Sequence, residues 1–232
     1  MQLFYAPNIS SGDFFLGEEE SHHCVNVIRK KQNDIINIID GNGGFYIAEI
    51  IDASSKKCTF NIKESKKKER ENKYKIHLAV APTKNIERFE WFAEKVTEIG
   101  VDEITPVFCE FSERKILKTQ RLEKVILAAT KQSLKFYSPS LNKPVNFKDL
   151  INIYFEGQKF IAHCKEHTFA LKEQYQQKNN AFIFIGPEGD FSDNEIELAI
   201  SNNFIPVNLG KSRLRTETAA LVACHTINLL NQ

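Results

Sequence analysis

The pattern of apolar and polar positions changes along the chain. In the first quarter, apolar residues form short runs that are typical of strands. These runs are Leu3 to Ala6, Phe14 to Leu16, Ile35 to Ile39, Phe45 to Ile51 and Cys58 to Ile62. One helix is predicted from Glu18 to Arg29, because Cys24, Val27 and Ile28 share a helical face. A small barrel or sandwich with one helix fits this part.

A turn and a linker interrupt these runs. The segment Asp40 to Gly44 contains three glycines and predicts a hairpin, because glycine tolerates positive φ. The segment Ser65 to Lys73 has no apolar residue, which predicts an exposed linker. We therefore expect two domains, spanning residues 1–68 and 69–232.

After the linker, runs typical of strands alternate with runs typical of helices. The predicted strands are Ile76 to Ala81, Ile104 to Phe108, Phe160 to His163, Ala181 to Ile185 and Ile205 to Leu209. The predicted helices are Ile86 to Ile99, Gln120 to Ser133, one beginning at a capping box formed by Ser192 and Glu195, and Thr216 to Leu230. This alternation predicts an α/β domain with a mostly parallel sheet and helices on both faces.

Two glycine loops stand out in this second part. The Gly186 loop (Gly186 to Asp190) and the Gly210 loop (Gly210 to Arg215) each follow a predicted strand and precede a predicted helix. Loops of this kind lie at the carboxyl ends of strands, where α/β proteins usually bind ligands. The spacing therefore predicts that the two loops wall one pocket.

Composition and motifs exclude several classes of protein. The 232 residues are 42% hydrophobic, enough for a buried core, and no signal peptide or 18-residue apolar span occurs. Five scattered cysteines without a Cys-x-x-Cys pair predict reduced thiols in a cytoplasmic protein, with no membrane partner. Neither a P-loop nor a hydrolase elbow is present, and the histidine spacing predicts no metal site. Cys164 is expected to be a buried structural thiol.

The net charge of +1 conceals local clusters of basic residues. The segment from Ser112 to Lys135 contains seven basic residues and only two acidic ones. Smaller basic clusters occur at Arg29 to Lys31 and at Lys66 to Lys68. Such clusters suit contact with RNA phosphates, but they also occur on ordinary solvated surfaces. Both interpretations stay open for each cluster taken alone.

Several motifs together resemble one enzyme family. They are Phe182 to Ser192, Leu209-Gly210, Leu214 to Ala220, His22-His23 with Val27 to Arg29, Glu94 to Val101, Cys109-Glu110 and Gln132-Ser133. In this order and spacing they resemble the bacterial 16S ribosomal RNA (uracil-N3) methyltransferase family, of the SPOUT class. The resemblance implies a small N-terminal PUA-like β-barrel that binds RNA and a C-terminal SPOUT α/β domain with a trefoil knot. It also implies S-adenosylmethionine as methyl donor, a homodimer, and a uridine of the small ribosomal subunit as target.

The resemblance and the chemistry of the side chains together suggest roles for particular residues. The implied donor-binding residues are His163, Gly186, Pro187, Glu188, Gly189, Leu209, Gly210, Leu214 and Thr218. For the reaction, uracil N3 must lose its proton and the resulting negative charge must be stabilised. Arg215 suits the electrostatic role, and Glu217 either orients Arg215 or acts as base. The candidate RNA-binding residues are Arg29, Lys30, Arg114, Lys118, Arg121 and Lys131.

Other interpretations compete with these assignments. The segment Arg215 to Thr218 could be only the first turn of a helix, with Thr216 as its cap. Asp190 stands where the family commonly has glycine, and Lys211-Ser212 replaces a usual Pro-Arg pair. The rival functions are another SPOUT RNA methyltransferase, acting on a ribose 2′-hydroxyl or a different base, and a non-catalytic RNA-binding protein.

Overall fold

The computed structural model describes residues 1–70 and 72–232. Its contacts divide the chain into two compact units. The first unit comprises Met1–Glu71 and Leu127–Ser138, and the second comprises Asn72–Ile126 and Pro139–Gln232. The segment Leu127–Ser138 joins the first unit through contacts distant in sequence, which local patterns do not show. The domain boundary between residues 68 and 69 stays a prediction.

The first unit is built on a four-stranded sheet. Its strands are β1 (Leu3–Tyr5), β2 (Ile35–Ile39), β3 (Gly44–Asp52) and β4 (Thr59–Lys67), in the order β1-β2-β3-β4. β1 pairs parallel with β2, whereas the two other pairings are antiparallel. Buried side chains that include Phe4, Ile38, Ile50 and Phe60 form its core. Helix α1 (Glu18–His22) continues as a π-helical turn over His23–Val27, so the predicted helix is present but irregular.

Two predictions for this unit are wrong. Phe14 to Leu16 forms no strand, and only Phe15 bridges to Thr59. Ser65 to Lys67 extends β4 instead of forming a linker, with Lys67 opposite Gly44. Sheet hydrogen bonds join backbone groups, so polar side chains do not prevent pairing, and lysines suit an edge strand. Of the predicted linker, Glu71 lies outside the described residues.

The predicted hairpin between β2 and β3 is confirmed. Gly41 and Gly43 adopt φ of 76° and 92°. The Asp40 carboxylate accepts hydrogen bonds from the backbone amides of Asn42 (2.7 Å) and Gly44 (2.8 Å). The turn therefore uses the positive φ that glycine permits and satisfies its own amides.

The second unit contains the predicted parallel sheet. Its strands are β5 (Ile76–Val80), β6 (Glu103–Phe108), β7 (Ser140–Leu141), β8 (Val145–Asn146), β9 (Gln158–Ala162), β10 (Phe169–Ala170), β11 (Ala181–Ile185) and β12 (Ile205–Asn208). Their order is β10-β12-β9-β11-β5-β6-β7, with β8 also on β6, and every pairing is parallel. The further helices are α2 (Ile86–Ile99), α3 (Gln120–Gln132), α4 (Phe147–Leu150), α5 (Leu171–Gln174), α6 (Asp193–Ser201) and α7 (Thr216–Leu230).

Helices cover both faces of this sheet, as predicted. Along β11, Ile183 packs in one hydrophobic cluster with residues of α2 and α7. Its neighbours Phe182 and Phe184 pack in a second cluster with residues of α4 and α6. Successive strand residues point to opposite faces, so an entirely apolar strand must be covered on both sides. The mixed α/β fold is therefore confirmed, while the trefoil knot stays a prediction.

Helix termini follow the local signals in the sequence. Ser192 Oγ accepts a hydrogen bond from the Glu195 amide (3.3 Å), and the Glu195 carboxylate accepts one from the Ser192 amide (3.0 Å). This reciprocal pair is the predicted capping box. Gly100, with φ of 120°, ends α2. None of the described helices combines the length and the apolar character needed to cross a membrane.

We predict that His77 makes the stability of the second unit depend on pH. His77 is buried on β5, with Nε2 2.7 Å from Thr105 Oγ1. Burial lowers its pKa to about 4, although the nearby Glu103 carboxylate raises it. The unfolded chain takes up this proton near pH 6.5, whereas the folded protein takes it up only near pH 4. The free energy of unfolding therefore falls by roughly 3 kcal/mol as the pH drops from 6.5 to 4, and His77 does not change it above pH 6.5.

The measurement is denaturant unfolding at several values between pH 7 and pH 4. His77→Asn should reduce the pH dependence, whereas His225→Asn, which replaces an exposed histidine on α7, should leave it unchanged. An identical pH dependence in His77→Asn and the original protein would contradict the assignment.

Candidate active site

The two glycine loops lie at one edge of the parallel sheet. The Gly186 loop follows β11, the Gly210 loop follows β12, and β9 lies between these two strands. Together with the segment after β9, which begins at His163, they enclose a cavity of about 970 Å³. Parallel strands bring their carboxyl ends to the same edge, so the predicted pocket is present.

Most of the predicted donor-binding residues line this cavity. Seven of the nine are there: His163, Gly186, Pro187, Glu188, Leu209, Gly210 and Leu214. Gly189 does not line it; a Cβ at that position would lie 3.1 Å from Phe111 Cβ, so its small size serves packing. Thr218 lines a separate recess of about 340 Å³. The structure therefore places these two outside the cavity that the other seven form.

Hydrogen bonds fix the cavity walls to one another. Thr216 Oγ1 donates to the carbonyl oxygen of Gly186 (3.0 Å), which joins the start of α7 to the Gly186 loop. Thr216 is therefore not the helix cap considered from the sequence; Arg215 occupies that position without a side-chain capping bond. The Glu188 carboxylate accepts a hydrogen bond from the Lys84 amide (2.9 Å). These bonds tie the loops to neighbouring parts of the second unit.

The backbone explains one departure from the family pattern. Asp190 adopts φ of 67°, in the left-handed region that glycine occupies readily and aspartate tolerates. Its carboxylate accepts hydrogen bonds from the amides of Cys164 (2.9 Å) and Phe191 (2.8 Å). Aspartate therefore keeps the loop conformation and ties the Gly186 loop to the segment after β9.

Cys164 corrects a sequence-based prediction. It is exposed and lines the cavity, whereas a buried structural thiol was expected. The reason is that β9 ends at Ala162, so Cys164 lies in the following loop and not in the buried strand. In the part of the chain that the structure describes, no three His, Cys, Asp or Glu side chains are grouped to hold a metal ion.

His163 presents an unused hydrogen-bond donor in the cavity wall. Its Nδ1 accepts a hydrogen bond from the Lys165 amide (3.2 Å), so the neutral ring carries its proton on Nε2. Burial lowers the pKa of His163, which favours this neutral form. Nε2 is buried and has no hydrogen-bond partner among residues 1–70 and 72–232. A ligand with an acceptor atom would satisfy it, so the cavity suits a polar ligand.

Arg215 lies between the cavity and the smaller recess. It is exposed at the start of α7 and lines both spaces. Across the described residues, no hydrogen bond or ion pair engages its guanidinium group. Its five donors are therefore available to a ligand that reaches either space.

Glu217 has a different partner from the one predicted. Its side chain is buried, with 9% exposed, and its Oε1 lies 3.9 Å from Nε of Arg88. The structure therefore shows no contact between Glu217 and Arg215 that would support the alternative in which Glu217 orients Arg215. Arg88 was not identified from the sequence, because it lies on α2, more than 100 residues before Glu217, and belongs to no motif. Both side chains line the recess beside Arg215.

The candidate RNA-binding residues of the first unit differ in availability. Arg29 is exposed, with φ of 61°. Lys30 Nζ donates to the carbonyl oxygen of Ile35 (3.2 Å). Lys131 is ion-paired with Glu20, and only 18% of its side chain is exposed. The Lys131 ammonium is therefore engaged within the unit, which argues against its predicted contact with phosphate.

The candidate RNA-binding residues of the second unit also differ in availability. Arg114 donates to the carbonyl oxygens of Thr83 (3.1 Å) and Lys84 (2.8 Å), which is a structural role. Arg121 Nε lies 2.6 Å from the Glu90 carboxylate, although 76% of the Arg121 side chain is exposed. Lys118 is exposed. These partners lie about 30 residues from Arg114 and Arg121 in sequence, so charge counting along the chain does not reveal them.

Known proteins resemble the chain over nearly its whole length. The family model described as an RNA methyltransferase domain matches residues 70–228, and the model described as an RNA methyltransferase PUA domain matches residues 16–63. The protein named Ribosomal RNA small subunit methyltransferase E from Buchnera aphidicola is 34% identical over 217 residues, which cover 90% of this chain and 85% of that protein.

Solved structures agree with this relationship. A protein of Porphyromonas gingivalis described as a probable rRNA-methyltransferase has a TM-score of 0.93 and 38% identity, covering 100% of this chain and 98% of its own. A Legionella pneumophila structure in complex with the bound cofactor SAM has a TM-score of 0.89 and 30% identity, with the same coverage. These matches span both the sheet that carries the cavity and the N-terminal strands. The chain therefore belongs to the RNA methyltransferase family, with its accompanying PUA domain.

Proposed function

We propose that this protein is an S-adenosylmethionine-dependent methyltransferase that modifies N3 of a uridine in 16S ribosomal RNA of the small subunit, in the cytoplasm. The observation that carries the proposal is the single cavity formed by the Gly186 loop, the Gly210 loop and His163, with Arg215 at its border. The name of the Buchnera relative supports the substrate, and the SAM-bound Legionella structure supports the donor.

The donor would be held mainly by backbone groups and apolar walls. S-adenosylmethionine supplies a methyl group activated by its sulfonium. Gly210 adopts φ of 127°, and a Cβ at this position would meet no atom within 4 Å, so a ligand can approach the Gly210 backbone closely. Pro187 and Leu214 provide apolar surface, and the His163 Nε2–H group would donate to an acceptor on the donor molecule.

Arg215 and Glu217 would supply the chemistry at uracil. N3 carries a proton at neutral pH, so its methylation needs a base that takes the proton and a cation that stabilises the resulting negative charge. The Glu217 carboxylate lines the same recess as Arg215 and can accept that proton. The Arg215 guanidinium stabilises the negative charge that spreads over the ring oxygens, because it stays charged and presents several donors in one plane.

We also propose that the protein forms a homodimer through its second unit. Trp91 on α2 is 42% exposed and Leu229 on α7 is 55% exposed. The two helices pack against each other, so both apolar side chains belong to one pair of neighbouring helices. Exposed apolar surface of this kind suits burial against a second copy of the chain.

We predict that cells lacking this protein lose 3-methyluridine from 16S ribosomal RNA. The measurement is mass spectrometry of nucleosides from purified 16S RNA, with and without a restored copy of the gene. Loss of a 2′-O-methylated nucleoside or of another methylated base would instead favour a different RNA methyltransferase. An unchanged nucleoside profile would favour a non-catalytic RNA-binding protein.

We predict that Arg215→Ala reduces kcat for methyl transfer roughly a hundredfold or more, because it removes charge stabilisation at the reacting base. Donor affinity, measured by calorimetric titration with S-adenosylmethionine, should change much less. Lys143→Ala removes an exposed cation of the same unit and is the matched control. Unchanged turnover in Arg215→Ala would rule out the assigned role.

We predict that His163→Leu weakens S-adenosylmethionine binding roughly fivefold to tenfold, because it removes one hydrogen-bond donor from the cavity wall. The same change removes a buried N–H group without a partner but also the acceptor of the Lys165 amide, so the free energy of unfolding of the ligand-free protein should change little. His163→Gln, which keeps a donor, should bind more tightly than His163→Leu. Calorimetric titration measures the affinity for S-adenosylmethionine, and denaturant unfolding measures the stability. An unaltered affinity in His163→Leu would contradict the proposed hydrogen bond from His163.

A further inference from the structure

Two of the five cysteines meet in the core of the first unit. Cys24 lies on the π-helical turn that continues α1, and Cys58 lies immediately before β4. The two residues are far apart in the sequence, yet both are fully buried in the same hydrophobic cluster. The sequence pattern predicts only scattered reduced thiols, so the pairing of Cys24 with Cys58 is a product of the fold.

Hydrogen bonds of Ser21 hold the helix that leads to Cys24 against the backbone of Cys58. Ser21 Oγ accepts a hydrogen bond from the Cys58 amide (2.9 Å) and donates one to the carbonyl oxygen of Leu16 (2.8 Å). The Leu16 amide in turn donates to the carbonyl oxygen of Cys58 (2.9 Å). Cys24 lies three residues after Ser21, and residues at this spacing share a helical face. The face that carries Cys24 is therefore turned toward Cys58.

The two thiols contact each other directly. The Cys24 thiol donates a hydrogen bond to the sulfur of Cys58. This bond, together with burial, raises the pKa of Cys24, whereas the same bond lowers the pKa of Cys58 despite its burial, because it stabilises the thiolate. Cys58 is therefore the thiol of the pair that ionises first, and a protonated thiol lies beside it.

The pair is separated from the other cysteines. Cys109, Cys164 and Cys224 all belong to the second unit. An oxidised sulfur on Cys58 would thus have the thiol of Cys24 as its neighbour. A sulfenic acid beside a thiol condenses with it to a disulfide, and this protects the sulfur from irreversible oxidation. Because the side chains already touch, the disulfide requires only a small movement of the two sulfur atoms.

A local opening is enough to give a small oxidant access to the pair. Cys24 belongs to a π-helical turn that also contains Val27, and 56% of Val27 is exposed. The turn is therefore at the surface on one side and in the core on the other. Short surface helices open without unfolding of the whole domain, and hydrogen peroxide is small and uncharged. Such an opening would admit the peroxide to the sulfur atoms.

We propose that Cys24 and Cys58 form a reversible oxidation site, at which hydrogen peroxide converts the two thiols into a disulfide. The Cys58 thiolate attacks one peroxide oxygen and the O–O bond breaks, which leaves a sulfenic acid on Cys58 and releases hydroxide. The hydroxide takes up the proton that Cys58 lost and becomes water.

The second step joins the two sulfur atoms. The Cys24 sulfur attacks the Cys58 sulfur, the S–O bond breaks, and the departing hydroxide takes the Cys24 proton to form a second water. Together the two thiols lose two electrons to one molecule of peroxide. A dithiol such as dithiothreitol returns the electrons and restores both thiols.

The test is peptide mapping of the folded full-length protein after exposure to hydrogen peroxide. Once the peroxide has been removed, the remaining thiols are blocked with N-ethylmaleimide in denaturant, and the protein is digested without reductant. Mass spectrometry should find two peptides joined through Cys24 and Cys58, and dithiothreitol should separate them. Thermal unfolding of the oxidised protein should shift upward by about 5 °C or more, because the disulfide closes a loop of roughly 35 residues in the unfolded chain.

Matched variants assign this shift to the pair. Cys24→Ala and Cys58→Ala should give neither the joined peptides nor the upward shift after oxidation. Cys224→Ala removes another buried cysteine, in the second unit, and should keep both.

The mapping of the original protein decides the inference even if a variant does not fold. The inference is overturned if peroxide leaves Cys24 and Cys58 as free thiols while circular dichroism shows a folded protein. Sulfinic acid on either residue without the joined peptides would overturn it as well, and so would a disulfide that forms only in denaturant.

Discussion

The site depends on the parallel arrangement of β12, β9 and β11. Because these strands are adjacent and run in the same direction, the segments that follow them emerge at one edge of the sheet. The apolar residues on both faces of β11 keep that sheet between two layers of helices. The cavity residues that directly follow these strands are positioned by this constraint, although most of them lie in loops without regular structure.

A few hydrogen bonds hold the loops that the sheet brings together around the cavity. The bond from Thr216 to the Gly186 carbonyl joins the start of α7 to the Gly186 loop, and Asp190 links the Gly186 loop to the segment after β9. These bonds restrain the loops, and such restraint lowers the entropy cost of binding a ligand between them. Within this fixed frame, His163 Nε2 is a buried donor without a protein partner among the described residues. A stable fold tolerates such a group most readily where a ligand completes the hydrogen bond.

Whether a basic side chain of this protein is available to phosphate depends on the groups that it already contacts in the folded chain. Lys131 and Arg114 belong to the most basic stretch of the sequence, yet an acidic side chain engages one and backbone carbonyls engage the other. Lys66 and Lys68 belong to a segment that looked like a linker, yet β4 and the rings of Phe136 and Tyr137 organise it. Desolvated, paired cations hold the fold together, whereas solvated ones remain able to meet phosphate.

Local patterns in the sequence predict most of the longer strands and helices and the place of the pocket. Some structural features depend on only a few neighbouring residues and can be recognised in the sequence. Examples are the apolar run of β11, the capping box at Ser192 and the glycines of the hairpin. Three outcomes are visible only in the folded structure: Leu127–Ser138 belongs to the first unit, Glu217 meets Arg88, and Gly189 and Thr218 lie outside the cavity. These outcomes depend on contacts between residues far apart in the chain, and no local pattern of polarity or propensity encodes which distant side chain a residue will meet.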